Sequence, residues 1–158
     1  MSKPPVITWL DPGLTTGIAS WYPATGELVS EQIFGMLEAS YQIRDILNIP
    51  SDEATRPAIG WEAFTIRPGS SHLDLDTTAL EVIGTTKMTA ADLNVTVFWP
   101  QQPADRSLGE KHLVTVGWHR PGREHANVAA AHLLSYLLEA RLLPADMLVK
   151  ITEKMEAD

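Results

Sequence analysis

The chain has 158 residues, the length of one ordinary domain with a sizeable buried core. Its 12 Lys and Arg against 20 Asp and Glu give a formal net charge of −8, which argues against a strong non-specific grip on nucleic acid but leaves room for a local basic face. Without cysteine it has no disulfide, thiolate zinc site or cysteine nucleophile, and without a membrane-length apolar run or a signal-peptide pattern we expect a cytoplasmic protein that contacts no membrane.

The predicted elements follow the order βββαβαβα. The first three strands form a meander at 6–11, 15–21 and 27–34, with turns at Pro12-Gly13 and at 23–26. The later elements are a helix at 36–48, a strand at 57–66, a helix at 75–93, a strand at 95–99 and a helix at 124–142. This order predicts an α/β domain over residues 1–143, with a mixed five-stranded sheet flanked by helices. A charged tail at 144–158 follows it.

Asp11 is the first candidate site residue, because it ends an apolar strand. A buried carboxylate is costly unless something binds it. Carboxylates at the ends of strands, where solvent can reach them, are typical ligands of hard divalent cations. An Asp before Pro-Gly is also a common turn cap, so Asp11 taken alone fits both interpretations.

Glu62 is the second candidate, a single carboxylate inside the apolar run at 58–64. Side chains alternate between the two faces of a strand, so Glu62 shares a face with Gly60. Taken alone, Glu62 is equally consistent with a solvent-facing position. Together with Asp11 it means that two strands of one sheet each deliver a carboxylate, as a metal site requires.

The helix at 124–142 is the third contributor. Its alanines at 129–131 allow close packing on the sheet, which would bring its first turn near Asp11. His125 lies in that turn and is a candidate metal ligand through a neutral imidazole nitrogen. His132 lies two turns further on, and we interpret it as a packing histidine with satisfied hydrogen bonds.

Three groups of residues carry a resemblance to a known family: Asp11-Pro12-Gly13 with Thr16-Gly17, Glu62 followed by Ala63-Phe64, and an alanine-rich helix that opens on His125. They resemble the RuvC-type Holliday-junction resolvases of the RNase H-like fold, above all the short resolvase-like proteins of bacteriophages, over roughly residues 5–140. The resemblance implies a homodimer that cuts branched DNA, a four-way junction or a fork.

By this resemblance Asp11, Glu62 and His125 are the catalytic residues and the ligands of Mg²⁺ or Mn²⁺. The family hydrolyses phosphodiesters with two metal ions. The sequence departs from the family at Val128, three residues after His125, where the family has an Asp. Asn127 or Glu124 are the neighbouring oxygen donors that would have to replace it.

Basic residues between the fifth strand and the last helix form the predicted DNA-facing rim: Arg106, Lys111, Arg120 and Arg123. An ordinary solvated mixture of charges is the alternative interpretation. The resemblance implies that Lys111 and Arg120 lie near the scissile phosphate. It also implies that Phe64 and Arg67 belong to a loop that probes the junction centre, although Phe64 is equally suited to the core.

Two other functions remain open from the sequence. A non-catalytic or weakened module that binds branched DNA or a protein partner is favoured by Val128 and by the acidic balance. The hairpin from Asp11 to Gly17 also resembles the phosphate loop of the actin and sugar-kinase superfamily, although those proteins need two such domains around a nucleotide. Fold alone does not decide among these functions.

Overall fold

A computed structural model describes residues 3–52, 55–64, 77–98 and 100–157. The strands are β1 (Ile7–Asp11), β2 (Thr15–Tyr22), β3 (Glu27–Phe34), β4 (Ala58–Trp61) and β5 (Thr96–Val97). The helices are α1 (Met36–Leu47), α2 (Thr78–Asp92), α3 (Ser107–His112), α4 (Glu124–Glu139) and α5 (Ala145–Ala157), and a 3₁₀ helix (Pro103–Arg106) precedes α3.

The five strands form one mixed sheet in the order β3-β2-β1-β4-β5. The meander of β1, β2 and β3 is antiparallel, whereas β1 pairs parallel with β4, and β4 with β5. The predicted α/β class with a mixed five-stranded sheet is confirmed. Since β1 and β4 are parallel neighbours, their carboxyl ends lie at the same edge of the sheet.

The sheet separates two apolar cores, because successive side chains of β1 point to opposite faces. Trp9 belongs to the core beneath α4, where its ring stacks on Phe98 at a centroid distance of 5.6 Å. Leu10 belongs to the opposite core, beneath α1 and α2. Ile151 of α5 packs into the first core, so the predicted tail segment contains a docked helix.

Helix α4 lies unusually close to the sheet, as its alanines predicted. Ala126, Ala129 and Ala130 are fully buried. A Cβ atom on Gly17 of β2 would overlap the backbone carbonyl of His125, so only glycine permits this approach. A Cβ atom on Gly109 of α3 would likewise overlap the backbone carbonyl of Ala131. The first turn of α4 is thereby fixed beside the end of β1.

In the part of the chain that the structure describes, none of the helices has the length and apolar character that crossing a membrane requires.

Candidate functional site

The site lies at the sheet edge where β1 and β4 end. Asp11 is the last residue of β1, and Glu62 directly follows β4. The backbone N–H of Glu62 donates to the carbonyl oxygen of Leu10 at 2.9 Å, which continues the parallel pairing as far as the two carboxylates. Glu62 also forms an isolated bridge with Gln101. The sheet therefore brings together the two carboxylates that the sequence singled out.

Asp11 and His125 form a direct contact at this edge. Nδ1 of His125 lies 2.7 Å from Oδ2 of Asp11, with side-chain exposures of 47% and 15%. Burial raises the pKa of the Asp11 carboxyl; the hydrogen bond with His125 opposes this, and the negative charge of Glu62 adds to it. Since an ionised carboxylate only accepts, Nδ1 is the donor of this hydrogen bond, and Nε2 points away from Asp11.

Glu62 is held by two cationic or polar side chains on one oxygen. Its Oε2 accepts hydrogen bonds from Nη1 of Arg106 at 2.6 Å and from Nε2 of His132 at 2.7 Å. Burial raises the pKa of Glu62, but the bonds with His132 and Arg106 together outweigh it, and the pKa lies below its usual value. Glu62 is therefore an ionised carboxylate with its charge largely compensated.

His132 connects Glu62 to the strand-like segment after β5. Its ring is fully buried, and its Nδ1 lies 2.6 Å from the side-chain oxygen of Gln101. From the sequence, His132 was interpreted as a packing histidine, and Gln101 was assigned no role. The one available signal was spacing, because His132 lies two helical turns after His125 on the same side of α4.

A divalent cation is the ligand that the resemblance implies here. Among the described residues, no three His, Asp or Glu side chains converge as a metal-binding group. The chemistry of the donors nevertheless suits one hard cation: one oxygen of Asp11 and one of Glu62 accept no hydrogen bond from any described residue. Two carboxylates and the imidazole of His125 thus fit a single Mg²⁺ or Mn²⁺ in type.

Position 128 of α4 supplies no donor for a second cation, and Glu124, the other proposed replacement, is exposed in the first turn, where its role as a ligand stays a prediction. Val128 has only an apolar side chain at the position where the resemblance implies an Asp. Asn127 is already bonded elsewhere, since its Oδ1 accepts from the backbone N–H of Arg120 and its Nδ2 donates to the carbonyl of Arg120, both at 2.8 Å. The interpretation of Asn127 as a replacement ligand therefore finds no support.

The predicted DNA-facing residues lie in different settings. Lys111, Arg120 and Arg123 are exposed, whereas Arg106 contacts the site itself through Glu62. Phe64 is half-buried and packs against the second core, which agrees with the core alternative. Arg67 lies outside the described residues. The DNA-binding role of all six stays a prediction.

The two histidines of α4 allow a stability prediction. We expect His132→Phe to lower the free energy of unfolding by about 1–3 kcal/mol, because it removes a buried hydrogen-bonding partner from both Glu62 and Gln101. The matched change His125→Phe alters an exposed ring that also contacts a carboxylate, and we expect an effect within about 0.5 kcal/mol. Urea unfolding of both variants measures the difference. Equal losses would contradict the structural role of His132.

Of the comparisons with known proteins, the one with solved structures gives matches. No protein-family model matches the sequence, and no curated protein sequence matches it significantly. A structure of Thermus thermophilus RuvC in complex with a Holliday junction substrate superimposes with a TM-score of 0.63 at 17% identity, covering 87% of this chain and 95% of that one. A second Thermus thermophilus RuvC structure gives a TM-score of 0.59 at 16% identity, with coverages of 87% and 96%.

These matches define the class of the protein: an α/β domain with the RNase H-like fold of RuvC. They extend over most of this chain and nearly all of the RuvC chains. In this fold α4 packs on the antiparallel half of the sheet, mainly on β2 and next on β1.

Proposed function

We propose that this protein is a structure-selective endonuclease that hydrolyses phosphodiesters in branched DNA. One observation carries the proposal: β1 and β4 deliver Asp11 and Glu62 to the same edge of a RuvC-like sheet, with His125 in contact with Asp11. Burial and the charge of Glu62 raise the pKa of Asp11, so the fold disfavours the ionised form of this carboxyl, and a carboxylate placed at such a cost favours a binding or catalytic role.

Asp11, Glu62 and His125 would hold one Mg²⁺ or Mn²⁺. Such an ion supplies positive charge to a phosphate and eases its attack by water. Asp11 orients the imidazole through Nδ1, so Nε2 of His125 would either bind the ion or, with the ion held by the two carboxylates alone, accept a proton from the attacking water. His132 and Arg106 keep Glu62 ionised and fixed in place.

The DNA would lie across the exposed basic residues after β5. Asn127 fixes the backbone at Arg120 by two hydrogen bonds, so this arginine sits on a rigid support beside the first turn of α4. We propose Lys111, Arg120 and Arg123 as phosphate contacts, with Phe64 and Arg67 towards the branch point. A homodimer would present two such sites to the two symmetric strands of a four-way junction.

A second candidate function is a branched-DNA-binding protein without nuclease activity. Val128 favours it, because position 128 then supplies no donor for a second cation. The pairing of Glu62 with Arg106 points in the same direction, since it already neutralises one of the two carboxylates. Both functions require recognition of branched DNA.

Val128→Asp tests whether position 128 of α4 can contribute a metal ligand to the site. We expect this change to increase Mn²⁺ affinity and the cleavage rate by about tenfold, because it adds a carboxylate one helical turn after His125. The matched control is Val128→Asn, which has nearly the same shape without the charge. Mn²⁺ titration and junction cleavage measure the effect. No change from Val128→Asp in either assay would exclude position 128 from the ligand set.

Recognition is tested by competition binding in Ca²⁺, which prevents turnover. A labelled four-way junction is bound in the presence of unlabelled junction, fork or linear duplex of equal length. We expect the junction to compete at least about tenfold better than the duplex. Equal competition by duplex would contradict both the nuclease and the non-catalytic binding proposals.

A further inference from the structure

The guanidinium of Arg106 bridges two carboxylates at the site. Its Nη1 donates to Oε2 of Glu62 and its Nε donates to Oε1 of Glu110, each at 2.6 Å. The Arg106 side chain is 27% exposed, Glu62 is 17% exposed and Glu110 is 51% exposed. The contact of Arg106 with Glu62 is thus sheltered, and its contact with Glu110 faces solvent.

This contact puts a positive charge where a metal ion would need to bind. Oε2 of Glu62 already accepts from Arg106 and His132, so a cation can approach only the other oxygen. A divalent cation there would meet a carboxylate whose charge is compensated, and it would be repelled by the adjacent guanidinium.

The local structure lets Arg106 leave Glu62 without losing both partners. Arg106 ends the 3₁₀ helix, and Glu110 lies one turn further along, in α3. The bond from Nε to Glu110 is a helical i,i+4 pair that does not depend on Glu62. Because the guanidinium is rigid and planar, Nη1 leaves Glu62 only when the whole group moves, through rotation about the aliphatic bonds of the side chain. Another of its N–H groups can then donate to the exposed Glu110.

We propose that Arg106 is a resident cation that competes with divalent metal ions for Glu62. In the free protein it occupies this carboxylate, and metal binding requires it to withdraw towards Glu110. Arg106 is then a positioning residue that sets the metal affinity of the site, rather than only one of several phosphate contacts. The inference rests on the proposed function for the identity of the ligand set, Asp11, Glu62 and His125.

Competition of this kind is reciprocal. If Arg106 weakens metal binding by a given factor, metal binding weakens the contact between Arg106 and Glu62 by the same factor. Couplings of this type amount to about 5- to 150-fold in affinity. A charge-removing change at Arg106 should therefore tighten metal binding, in contrast to the usual loss on removing a site residue.

The test is Mn²⁺ binding to the full chain without DNA, measured by isothermal titration calorimetry. We expect Arg106→Gln to bind Mn²⁺ about tenfold more tightly than the parent protein. Arg106→Lys keeps the charge and should remain within about threefold of the parent. Glu110→Gln is the matched control: it removes the outer carboxylate, so the guanidinium stays on Glu62 and Mn²⁺ binding is unchanged or weaker.

The Glu62→Gln background tests whether Arg106 changes Mn²⁺ affinity through Glu62. In this background Arg106→Gln should no longer tighten Mn²⁺ binding, because the contested carboxylate is gone. Urea unfolding of each variant verifies that it is folded at the titration temperature. Unchanged Mn²⁺ affinity in folded Arg106→Gln would overturn the inference, as would tightening that persists with Glu62→Gln.

The outcomes separate this inference from the proposed function. Tighter Mn²⁺ binding in Arg106→Gln without any cleavage of branched DNA would support the competition and contradict the nuclease proposal. Cleavage of branched DNA by proteins in which Arg106→Gln and the parent bind Mn²⁺ equally tightly would support the nuclease proposal and contradict the competition. Failure of every variant to bind Mn²⁺ would overturn the inference together with the proposed metal site.

Discussion

Gly17→Ala is expected to destabilise the protein by at least about 3 kcal/mol, beyond the usual range for one added methyl group. The new Cβ would overlap the backbone carbonyl oxygen and carbon of His125 in the first turn of α4. A backbone atom cannot rotate away as a flexible side chain can, so α4 must move off the sheet. That movement would open the core beneath its buried alanines and separate His125 from Asp11.

Gly84→Ala is the matched control for that change. Gly84 lies on the exposed side of α2, and a Cβ atom there would meet nothing within 4 Å. Alanine is the better helix former, so we expect Gly84→Ala to stabilise the protein by about 0.5–1 kcal/mol. Urea unfolding measures both variants. If Gly17→Ala were as stable as the parent, the close packing of α4 on β2 would be wrong.

Asp11→Asn is expected to reduce the cleavage rate by a factor on the order of 10²–10³ or more, the effect of removing one preorganised charged group from an active site. The amide keeps the shape of the carboxylate but loses the charge that binds a cation and orients His125. Burial raises the pKa of Asp11, so the fold disfavours the charged form of this side chain. The neutral variant should therefore remain folded, with stability equal to or above that of the parent.

The control for Asp11→Asn is Asp45→Asn, the same chemical change on the exposed surface of α1. Asp45→Asn should cleave at the parental rate, and both variants should bind junction DNA in Ca²⁺ within about threefold of the parent. Single-turnover cleavage and junction binding in the presence of Ca²⁺ are measured side by side. Parental cleavage by folded Asp11→Asn would show that the site has been misplaced.

Strand patterns made the position of the carboxylates predictable. Asp11 ends an apolar run before Pro-Gly, so it was expected at a strand end. Glu62 interrupts a second run and was expected inside a strand at 57–66, whereas β4 ends at Trp61 and Glu62 directly follows it. The alanine-rich start of α4 then predicted its approach to the sheet, and Gly17 shows how closely that approach is made. These signals are local in sequence, which is why one chain sufficed to find them.

The contacts of Glu62 were not predictable in the same way. Arg106 and Gln101 belong to a turn-rich segment without helical or strand periodicity, so its path past the sheet could not be derived from sequence. His132 has the spacing of a core residue on a buried face, and nothing in that pattern distinguishes a packing histidine from one bonded to a carboxylate. These partners depend on tertiary folding, and they give the site its particular charge balance.

Cleavage of a labelled four-way junction in Mg²⁺ or Mn²⁺, with linear duplex alongside, is the first measurement to make on the proposed nuclease. If the proposed function holds, we expect metal-dependent nicks near the branch point of the junction, little cleavage of the duplex, and no nicks with Asp11→Asn. A junction that is bound tightly but stays intact in both metals would contradict the nuclease proposal and would identify the protein as a branched-DNA-binding relative without nuclease activity.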